Sequence, residues 1–296
     1  MKPIQEILSK LETEIQPSIA DNSIAPSPRR DEDLLCYPEC EYCHGSGYYR
    51  LPDLPIDHPQ FGKSIKCPNA NRKRYEQMIR TGEVNPIYGI TAEELHELSW
   101  QTIKPPSVAF GYIERLIYLY QRGWGMAALL GTPGTGKTTF LKIFVVVALS
   151  EGRDAAYANT SRVLDNIRRA YDSQNAMTEL EERTSWWANL DILSLDEFDK
   201  VNNTPWAQER LFALFDARYE LAINKKAITL IASNYETLDP FPPYIRSRLE
   251  DELFNGYIIN LSDKDVRPRR SQMRDVSNSA PTQSNSVKPK QRKSQG

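Results

Sequence analysis

Hydrophobic residues recur along the chain in two patterns, which predict buried strands and amphipathic helices in alternation. Short apolar runs have the length of strands buried on both faces, at 126–130, 154–159, 190–196, 227–234 and 256–261. Longer stretches between and beside them predict helices, at 107–122, 139–150, 161–171, 205–224 and 244–253. This alternation predicts an α/β fold, a three-layer sandwich with a five-stranded parallel sheet between helices.

The two ends of the chain differ from this alternating region. Apolar residues at helical spacing between 3 and 15 predict a short amphipathic helix, and a Pro-rich polar linker follows it up to residue 33. This helix fits packing on its own protein or docking on a partner helix. The last thirty residues are rich in Ser, Asn, Gln, Pro and basic side chains, which predicts disorder.

Charge is distributed unevenly along the chain. The formal net charge is -2, but residues 267–296 carry eight Lys or Arg against one acid, Asp275, which leaves about -9 for the rest. A basic tail on an acidic body fits contact with nucleic acid, and it fits a solvated solubility tail equally well. The chain has neither a signal-peptide pattern nor an apolar stretch long enough to span a bilayer, so we expect a soluble, cytoplasmic protein without membrane contact.

All four cysteines, Cys36, Cys40, Cys43 and Cys67, fall within 32 residues. Such clustering in a reducing cytosol indicates a metal site rather than disulfides. The spacing of Cys40 and Cys43 lets both sulfur atoms face one tetrahedral Zn²⁺, and Cys67 supplies a third ligand. Cys36 is favoured as the fourth ligand, with His44 and His58 as competitors. Four protein ligands leave no position for water, which predicts a structural zinc site.

The alternating region contains the phosphate-binding pattern GxxxxGK(S/T) at 131–138, between an apolar run and a helix. Its glycines let the backbone turn tightly and direct N–H groups toward a phosphate. Lys137 adds a charge for the β- and γ-phosphates, and Thr138 offers a hydroxyl to Mg²⁺. We expect the whole loop to bind nucleotide through Gly131, Thr132, Pro133, Gly134, Thr135, Gly136, Lys137, Thr138 and Thr139.

Polar residues end two of the predicted strands, beside this loop. Asp196 is predicted to hold Mg²⁺, and Glu197 to orient or deprotonate a water, which favours an ATPase over a small-molecule kinase. Asn234 ends the next strand and is predicted to sense the γ-phosphate. Arg246 and Arg248, on the following helix, fit local ion pairs, or an arginine supplied to the γ-phosphate of a neighbouring subunit.

These motifs together resemble a known family. GTPGTGKTT, LDILSLDEFDK, AITLIASN and IRSRLEDELF resemble the AAA+ clade of DnaC- and DnaI-type helicase loaders and IstB transposase helpers, and the cysteine-rich segment resembles the zinc module of many loaders. The resemblance covers roughly 36–267. It implies that Lys137 and Thr138 contact nucleotide and Mg²⁺, that Asp196 and Glu197 form the hydrolytic pair, that Asn234 and Arg267 are sensors, and that Arg248 is the arginine finger. The family often has a second cysteine soon after the one matching Cys67, whereas Pro68 and Asn69 stand here.

The resemblance also implies a function. We expect an ATP-dependent loader that assembles into a ring or filament, contacts a replicative DNA helicase, and binds single-stranded DNA through Arg162, Arg168 and Arg169. One alternative is an IstB-like transposition regulator acting on duplex DNA; another is a zinc-bearing nucleotide-switch adaptor with little turnover. The expected segments are a helix and linker (1–33), a zinc-binding module (34–84), an AAA+ ATPase domain (85–266) and a basic disordered tail (267–296).

Overall fold

A computed structural model describes residues 34–52, 54–58, 61–103 and 110–261. The amphipathic helix predicted at 3–15 and the basic tail from 267 lie outside the described residues. The chain forms two compact units that divide between Lys73 and Arg74. Within the described ranges, no helix combines the length and the apolar character that crossing a bilayer requires.

The first unit is built around the four cysteines. Strand β1 (Tyr48–Tyr49) pairs antiparallel with β2 (Ile65–Lys66), with Tyr48 opposite Lys66. The four cysteines and Ala70 are buried together, and two tyrosines pack against them. Helix α1 (Pro68–Thr81) begins directly after the last cysteine. A core this small buries little apolar surface, so the unit needs a further source of stability.

The second unit contains a parallel sheet of five strands: β3 (Gly125–Leu130), β4 (Ala155–Asn159), β5 (Ile192–Asp196), β6 (Ile228–Ser233) and β7 (Ile258–Asn260). Their order is β4-β5-β6-β3-β7, and every neighbouring pair is parallel. Every residue of β3, β5 and β6 is buried. Burial on both faces explains why these strands appear as continuous apolar runs.

Helices cover both faces of this sheet: α2 (Ala92–Glu97), α3 (Phe110–Arg122), α4 (Lys137–Ser150), α5 (Thr160–Arg168), α6 (Ala176–Ala188), α7 (Pro205–Ile223) and α8 (Pro243–Leu249). Alternate residues of β3 enter two different cores, Ala128 and Leu130 on one face, Ala127 and Leu129 on the other. The predicted α/β fold with a five-stranded parallel sheet is therefore confirmed.

The helix α6 was not predicted, and several element ends differ from the sequence pattern. The last strand begins at Ile258 rather than 256, because a 3₁₀ turn (Asn255–Tyr257) precedes it. The helix expected over 244–253 ends at Leu249. These differences lie at element ends, where periodicity specifies structure least.

The carboxyl ends of the central strands meet at one edge of the sheet. Leu130 of β3 is in register with Ser233 of β6, and Asn159 of β4 is in register with Asp196 of β5. The loop that follows β3 therefore emerges beside the polar residues that end the other strands, which is where ligands bind open parallel sheets.

Candidate nucleotide and metal sites

The phosphate loop connects β3 to α4 through backbone that only glycine adopts readily. Gly131 has φ 129° and Gly136 has φ 87°, and Gly136 is the residue from which α4 begins. The N–H of Gly131 donates to the carbonyl oxygen of Tyr235 at 2.9 Å, which ties the start of the loop to the segment after β6. The helix thus begins beneath the loop, where its free N–H groups and dipole favour an anion.

Lys137 is buried, and its ammonium group lies inside the loop. Its Nζ donates to the carbonyl oxygens of Gly131 at 2.5 Å and Thr132 at 2.9 Å, and lies 3.5 Å from the hydroxyl of Thr135. Burial lowers the pKa of Lys137, and the nearby charges of Asp196 and Asp199 oppose that shift. The loop holds this cation ready for an anionic ligand.

Asp196 ends β5 and is only 5% exposed. Its Oδ2 accepts a 2.6 Å hydrogen bond from the Thr138 hydroxyl and a 2.9 Å bond from Tyr157, and its Oδ1 accepts the N–H of Glu197 at 2.8 Å. A hydroxyl beside a carboxylate supplies the hard oxygen ligands that Mg²⁺ prefers, so these residues fit the ion. Burial, followed by the charge of Asp196, raises the pKa of Tyr157.

Glu197 adopts a left-handed backbone, with φ 52° and ψ 41°. A non-glycine residue in this region stores strain, which proteins tolerate chiefly at functional sites. Its carboxylate accepts the side-chain amide of Asn159 at 2.6 Å and forms an ion pair with Lys200. Two neighbours therefore hold the residue predicted to activate water.

Asn234 is held by an aspartate that the sequence did not mark. Asp199 accepts both the backbone N–H and the side-chain amide of Asn234, each at 2.9 Å, and the Ser233 hydroxyl at 3.3 Å. Burial alone would raise the pKa of Asp199, but these hydrogen bonds outweigh it and the pKa falls below its ordinary value. Asp199 thus connects the turn after β5 to the end of β6.

These residues surround a cleft of about 580 Å³. Most of the predicted residues line its walls: Pro133, Gly134, Gly136, Lys137, Thr138, Thr139, Asp196, Glu197 and Asn234. Three residues that were not predicted, Asp199, Lys200 and Ser233, line it as well. Gly131, Thr132 and Thr135 do not line the cleft but contact the Lys137 side chain. Arg267 lies outside the described residues.

Arg248 is packed against its own chain. Its side chain is 15% exposed, forms an ion pair with Asp216, and donates to the carbonyl oxygen of Tyr244 at 2.7 Å. Its guanidinium group also lies 5.5 Å from the ring centroid of Phe212. Its buried Nε has no hydrogen-bond partner. The predicted arginine finger is therefore held by α7 and outside the walls of the cleft.

The other predicted arginines are more exposed. Arg246 forms ion pairs with Asp239 at 2.7 Å and Glu250 at 2.8 Å. Arg162, Arg168 and Arg169 are all exposed, at α5 and the 3₁₀ turn that follows it. Arg168 also lies 4.4 Å from the ring centroid of Trp206.

The four cysteines bring their sulfur atoms within 4.8 Å of one another, and all four are buried and free of disulfides. Cys67 Sγ lies 3.6 Å from Cys40 Sγ and 4.0 Å from Cys36 Sγ. Sulfur atoms about 3.8 Å apart are expected for a tetrahedron with Zn–S bonds of about 2.3 Å. The donor set therefore fits Zn²⁺.

The surroundings of these sulfur atoms distinguish the competing ligands. His44 and His58 are exposed, whereas Cys36 is fully buried among the other cysteines. Burial raises the pKa of Cys40, but a 3.4 Å hydrogen bond from Asn69 and nearby backbone N–H groups outweigh it and lower the pKa to about 6. The structure thus groups Cys36 with the other cysteines and leaves both histidines outside the cluster.

The turn that follows the third cysteine needs left-handed backbone. Gly47 has φ 79°, and a Cβ atom at this position would lie 2.7 Å from Cβ of Leu35. Its carbonyl oxygen accepts the N–H of Cys67 at 2.8 Å, and that of Gly45 accepts the N–H of Cys36 at 3.1 Å. These bonds fix the backbone on either side of the cluster.

A comparison with protein families identifies the region around the cleft. Residues 127–257 match the family model AAA, ATPase family associated with various cellular activities. This segment contains the phosphate loop, both carboxylates and Asn234. Residues 127–257 are an AAA ATPase domain. The match indicates an ATPase domain over this segment, and an AAA domain implies a bound nucleotide and, as a rule, Mg²⁺.

Solved structures resemble the chain only distantly. The replication initiator DnaA bound to AMPPCP and single-stranded DNA is 18% identical over 61% of this chain, with a TM-score of 0.48. Domain III of DnaA from Thermotoga maritima is 20% identical over 62% of the chain and 70% of its own length (TM-score 0.46). The DnaC helicase loader is 17% identical over 58% of the chain and 99% of its own (TM-score 0.41).

These likenesses are too distant to transfer a function. The chain spans about half the length of the first replication-initiation structures that it resembles. No curated protein compared with the chain matches it significantly.

Proposed function

We propose that this chain is an ATP-dependent loader of a replicative DNA helicase, which assembles with itself and contacts single-stranded DNA. The observation that carries the proposal is a hydrolytic AAA domain that follows a four-cysteine module in one chain. The loader-like motifs described from the sequence add to it. The clustering of the cysteines, which fits a metal site better than disulfides, favours action in the cytoplasm.

Hydrolysis in the cleft requires Glu197 and Lys137 to change partners. Lys137 transfers its hydrogen bonds from the carbonyl oxygens of Gly131 and Thr132 to the phosphates of ATP. Glu197 leaves Asn159 or Lys200 and accepts a proton from the attacking water, whose oxygen bonds to the γ-phosphorus as the bond to ADP breaks. Thr138 and Asp196 would hold Mg²⁺, which neutralises phosphate charge when bound.

Assembly would control this reaction through Arg248. An arginine finger must leave its own chain to reach the γ-phosphate of a neighbour. The ion pair with Asp216 and the hydrogen bond to Tyr244 would have to break first, which makes that release a distinct step. ATP hydrolysis in one subunit would then begin only after the neighbouring subunit had bound.

The four-cysteine unit would hold one structural Zn²⁺. Its ligands would be Cys36, Cys40, Cys43 and Cys67, and the ion would stabilise a unit whose apolar core is small. Exposed Arg162, Arg168 and Arg169 would contact the phosphates of single-stranded DNA.

Partner capture tests the loader assignment. The full chain is immobilised with ATP, and a replicative helicase and a transposase are each offered to it; Lys137→Ala serves as the nucleotide-binding control. Retention of the helicase, lost in the control, is expected. Retention of the transposase alone would favour the transposition regulator, and retention of neither would refute the loader assignment.

Turnover tests the adaptor alternative. A switch would bind ATP without DNA- or partner-stimulated hydrolysis, and Glu197→Gln would then behave as the wild type. The strained backbone of Glu197 beside Asp196 argues for hydrolysis instead. Stimulated phosphate release that depends on Glu197 would exclude the adaptor.

A further inference from the structure

Tyr157 contacts Asp196 and the asparagine that holds Glu197, although no sequence pattern predicts a role for it. It stands on β4, one of the two edge strands of the sheet, two residues before Asn159, so both side chains leave the same face of the strand. Its hydroxyl oxygen is 2.9 Å from Oδ2 of Asp196 and 3.2 Å from Oδ1 of Asn159. The single hydroxyl proton therefore has two acceptors, of which the charged carboxylate is the stronger.

This hydroxyl helps to fix the Asp196 carboxylate and contacts the asparagine that holds Glu197. Asp196 receives three donors, from Tyr157, Thr138 and the backbone of Glu197, so its carboxylate has little freedom to rotate. Asn159 directs its amide nitrogen to Glu197 at 2.6 Å while its amide oxygen lies near Tyr157. Tyr157 thus contacts the residue expected to hold Mg²⁺ and the residue that holds Glu197.

Other elements fix Tyr157 itself. Lys142 Nζ lies 5.0 Å from the centroid of its ring and is ion-paired with Glu94 of α2. On the backbone side, Gly89 approaches so closely that a Cβ atom there would lie 1.8 Å from the carbonyl oxygen of Tyr157. The ring, the backbone and the hydroxyl of Tyr157 are therefore each held by a different segment of the second unit.

We propose that Tyr157 is a positioning residue for ATP hydrolysis, whose hydroxyl orients Asp196 for Mg²⁺ and couples that orientation to the contact between Asn159 and Glu197. The inference rests on the nucleotide site proposed above. Loss of the hydroxyl would weaken the Mg²⁺-dependent part of nucleotide binding and slow hydrolysis. Binding of nucleotide without Mg²⁺ would not change.

The test compares Tyr157→Phe with Tyr120→Phe. Tyr120 also donates to a carboxylate, Glu151 Oε2 at 2.6 Å. Neither Tyr120 nor Glu151 lines the cleft, so this hydrogen bond lies away from the nucleotide site. Binding of a fluorescent ATP analogue is titrated with Mg²⁺, and kcat and KM are measured. Tyr157→Phe should raise the half-saturating Mg²⁺ concentration about fivefold to tenfold, the effect of one hydrogen bond, and lower kcat. Tyr120→Phe should leave both at wild-type values.

An unchanged half-saturating Mg²⁺ concentration in Tyr157→Phe would overturn the inference about Tyr157 but not the proposed nucleotide site. A wild-type chain without Mg²⁺-dependent binding would overturn the proposed site, and the role of Tyr157 with it. Phe keeps the ring beneath Lys142, so melting temperatures of the two variants should be similar.

A double variant, Tyr157→Phe with Asn159→Ser, tests the coupling. If the two residues act together, the double variant should have a kcat no lower than that of the more severe single variant. Additive losses in the double variant would refute the coupling.

Discussion

At the scale of single residues, the proposed chemistry depends on Glu197 and its neighbours. The phosphate loop, Asp196, Glu197 and Asn234 could be predicted from sequence because each belongs to a short motif or ends an apolar strand. Tyr157, Asn159 and Asp199 could not, because they reach their partners 35 to 39 residues away through the parallel order of the strands. Motifs therefore reveal the reacting groups, and only the fold reveals what holds them.

Replacing Glu197 with Gln should separate binding from hydrolysis. The variant keeps the size of the side chain but removes the base, so ATP affinity should stay near the wild-type value while phosphate release falls about 100-fold or more. Fluorescent-nucleotide binding and steady-state phosphate release measure the two properties. Glu220→Gln, at an exposed position on α7, is the control and should retain wild-type turnover.

Asp199 should make stability depend on pH in the acid range. Its pKa is lower in the folded chain than the ordinary value of about 3.9, so its stabilising contribution is complete above about pH 5 and is lost as the pH falls through the folded pKa. Asp199→Asn should therefore lower the urea midpoint at pH 7 and lower it less at pH 3. A reduction of the urea midpoint that is the same at pH 7 and at pH 3 would contradict the lowered pKa of Asp199.

At the scale of elements, Gly89 shows how a turn constrains the edge of the sheet. It has φ 67° and would place a Cβ atom 1.8 Å from the carbonyl oxygen of Tyr157, whereas Gly82, with φ 70°, has no atom within 4 Å of that position. Gly82→Ala should lower the free energy of unfolding by about 1 kcal/mol, from backbone strain alone. Gly89→Ala should cost about 3 kcal/mol because it adds the clash. Equal reductions of the unfolding free energy in the two variants, measured by urea denaturation, would contradict the close approach of Gly89 to Tyr157.

The strands were predictable as elements, and one helix was not. Fully buried β3, β5 and β6 are apolar at nearly every position, a pattern that a parallel sheet produces directly. Helix α6 buries only Leu180, Trp187 and Ala188, so its sequence has little amphipathic periodicity. Its packing depends on long-range contacts, such as the indole N–H of Trp187 donating to Asn166.

The four-cysteine unit should lose structure with its metal. We expect about one zinc ion per chain by elemental analysis, and loss of that ion in Cys67→Ser, because removing one thiolate opens a closed tetrahedral site. His44→Ala is the matched control, since His44 adjoins Cys43 but is exposed, and it should retain the zinc. A folded, metal-free unit in the wild type would contradict the zinc assignment. Loss of zinc in His44→Ala would indicate that His44, rather than Cys36, is the fourth ligand.

At the scale of the whole molecule, the central claim is that hydrolysis belongs to an assembly rather than to a single chain. The cleft contains Glu197, the proposed base, with the phosphate loop and the polar end of β6, but Arg248 is not among its walls. Within its own chain Arg248 is paired with Asp216. Under the proposed function, a complete site would take its arginine from a second copy, supplied when subunits meet.

Mixing two inactive variants tests this claim most directly. Glu197→Gln retains Arg248 but lacks the base, and Arg248→Ala retains the base but lacks the arginine. Each variant alone should hydrolyse ATP far more slowly than the wild type, and an equimolar mixture should recover activity because some interfaces combine an intact cleft with an intact arginine. A mixture no more active than the variants measured separately, or an Arg248→Ala chain with wild-type turnover, would contradict hydrolysis across an assembly.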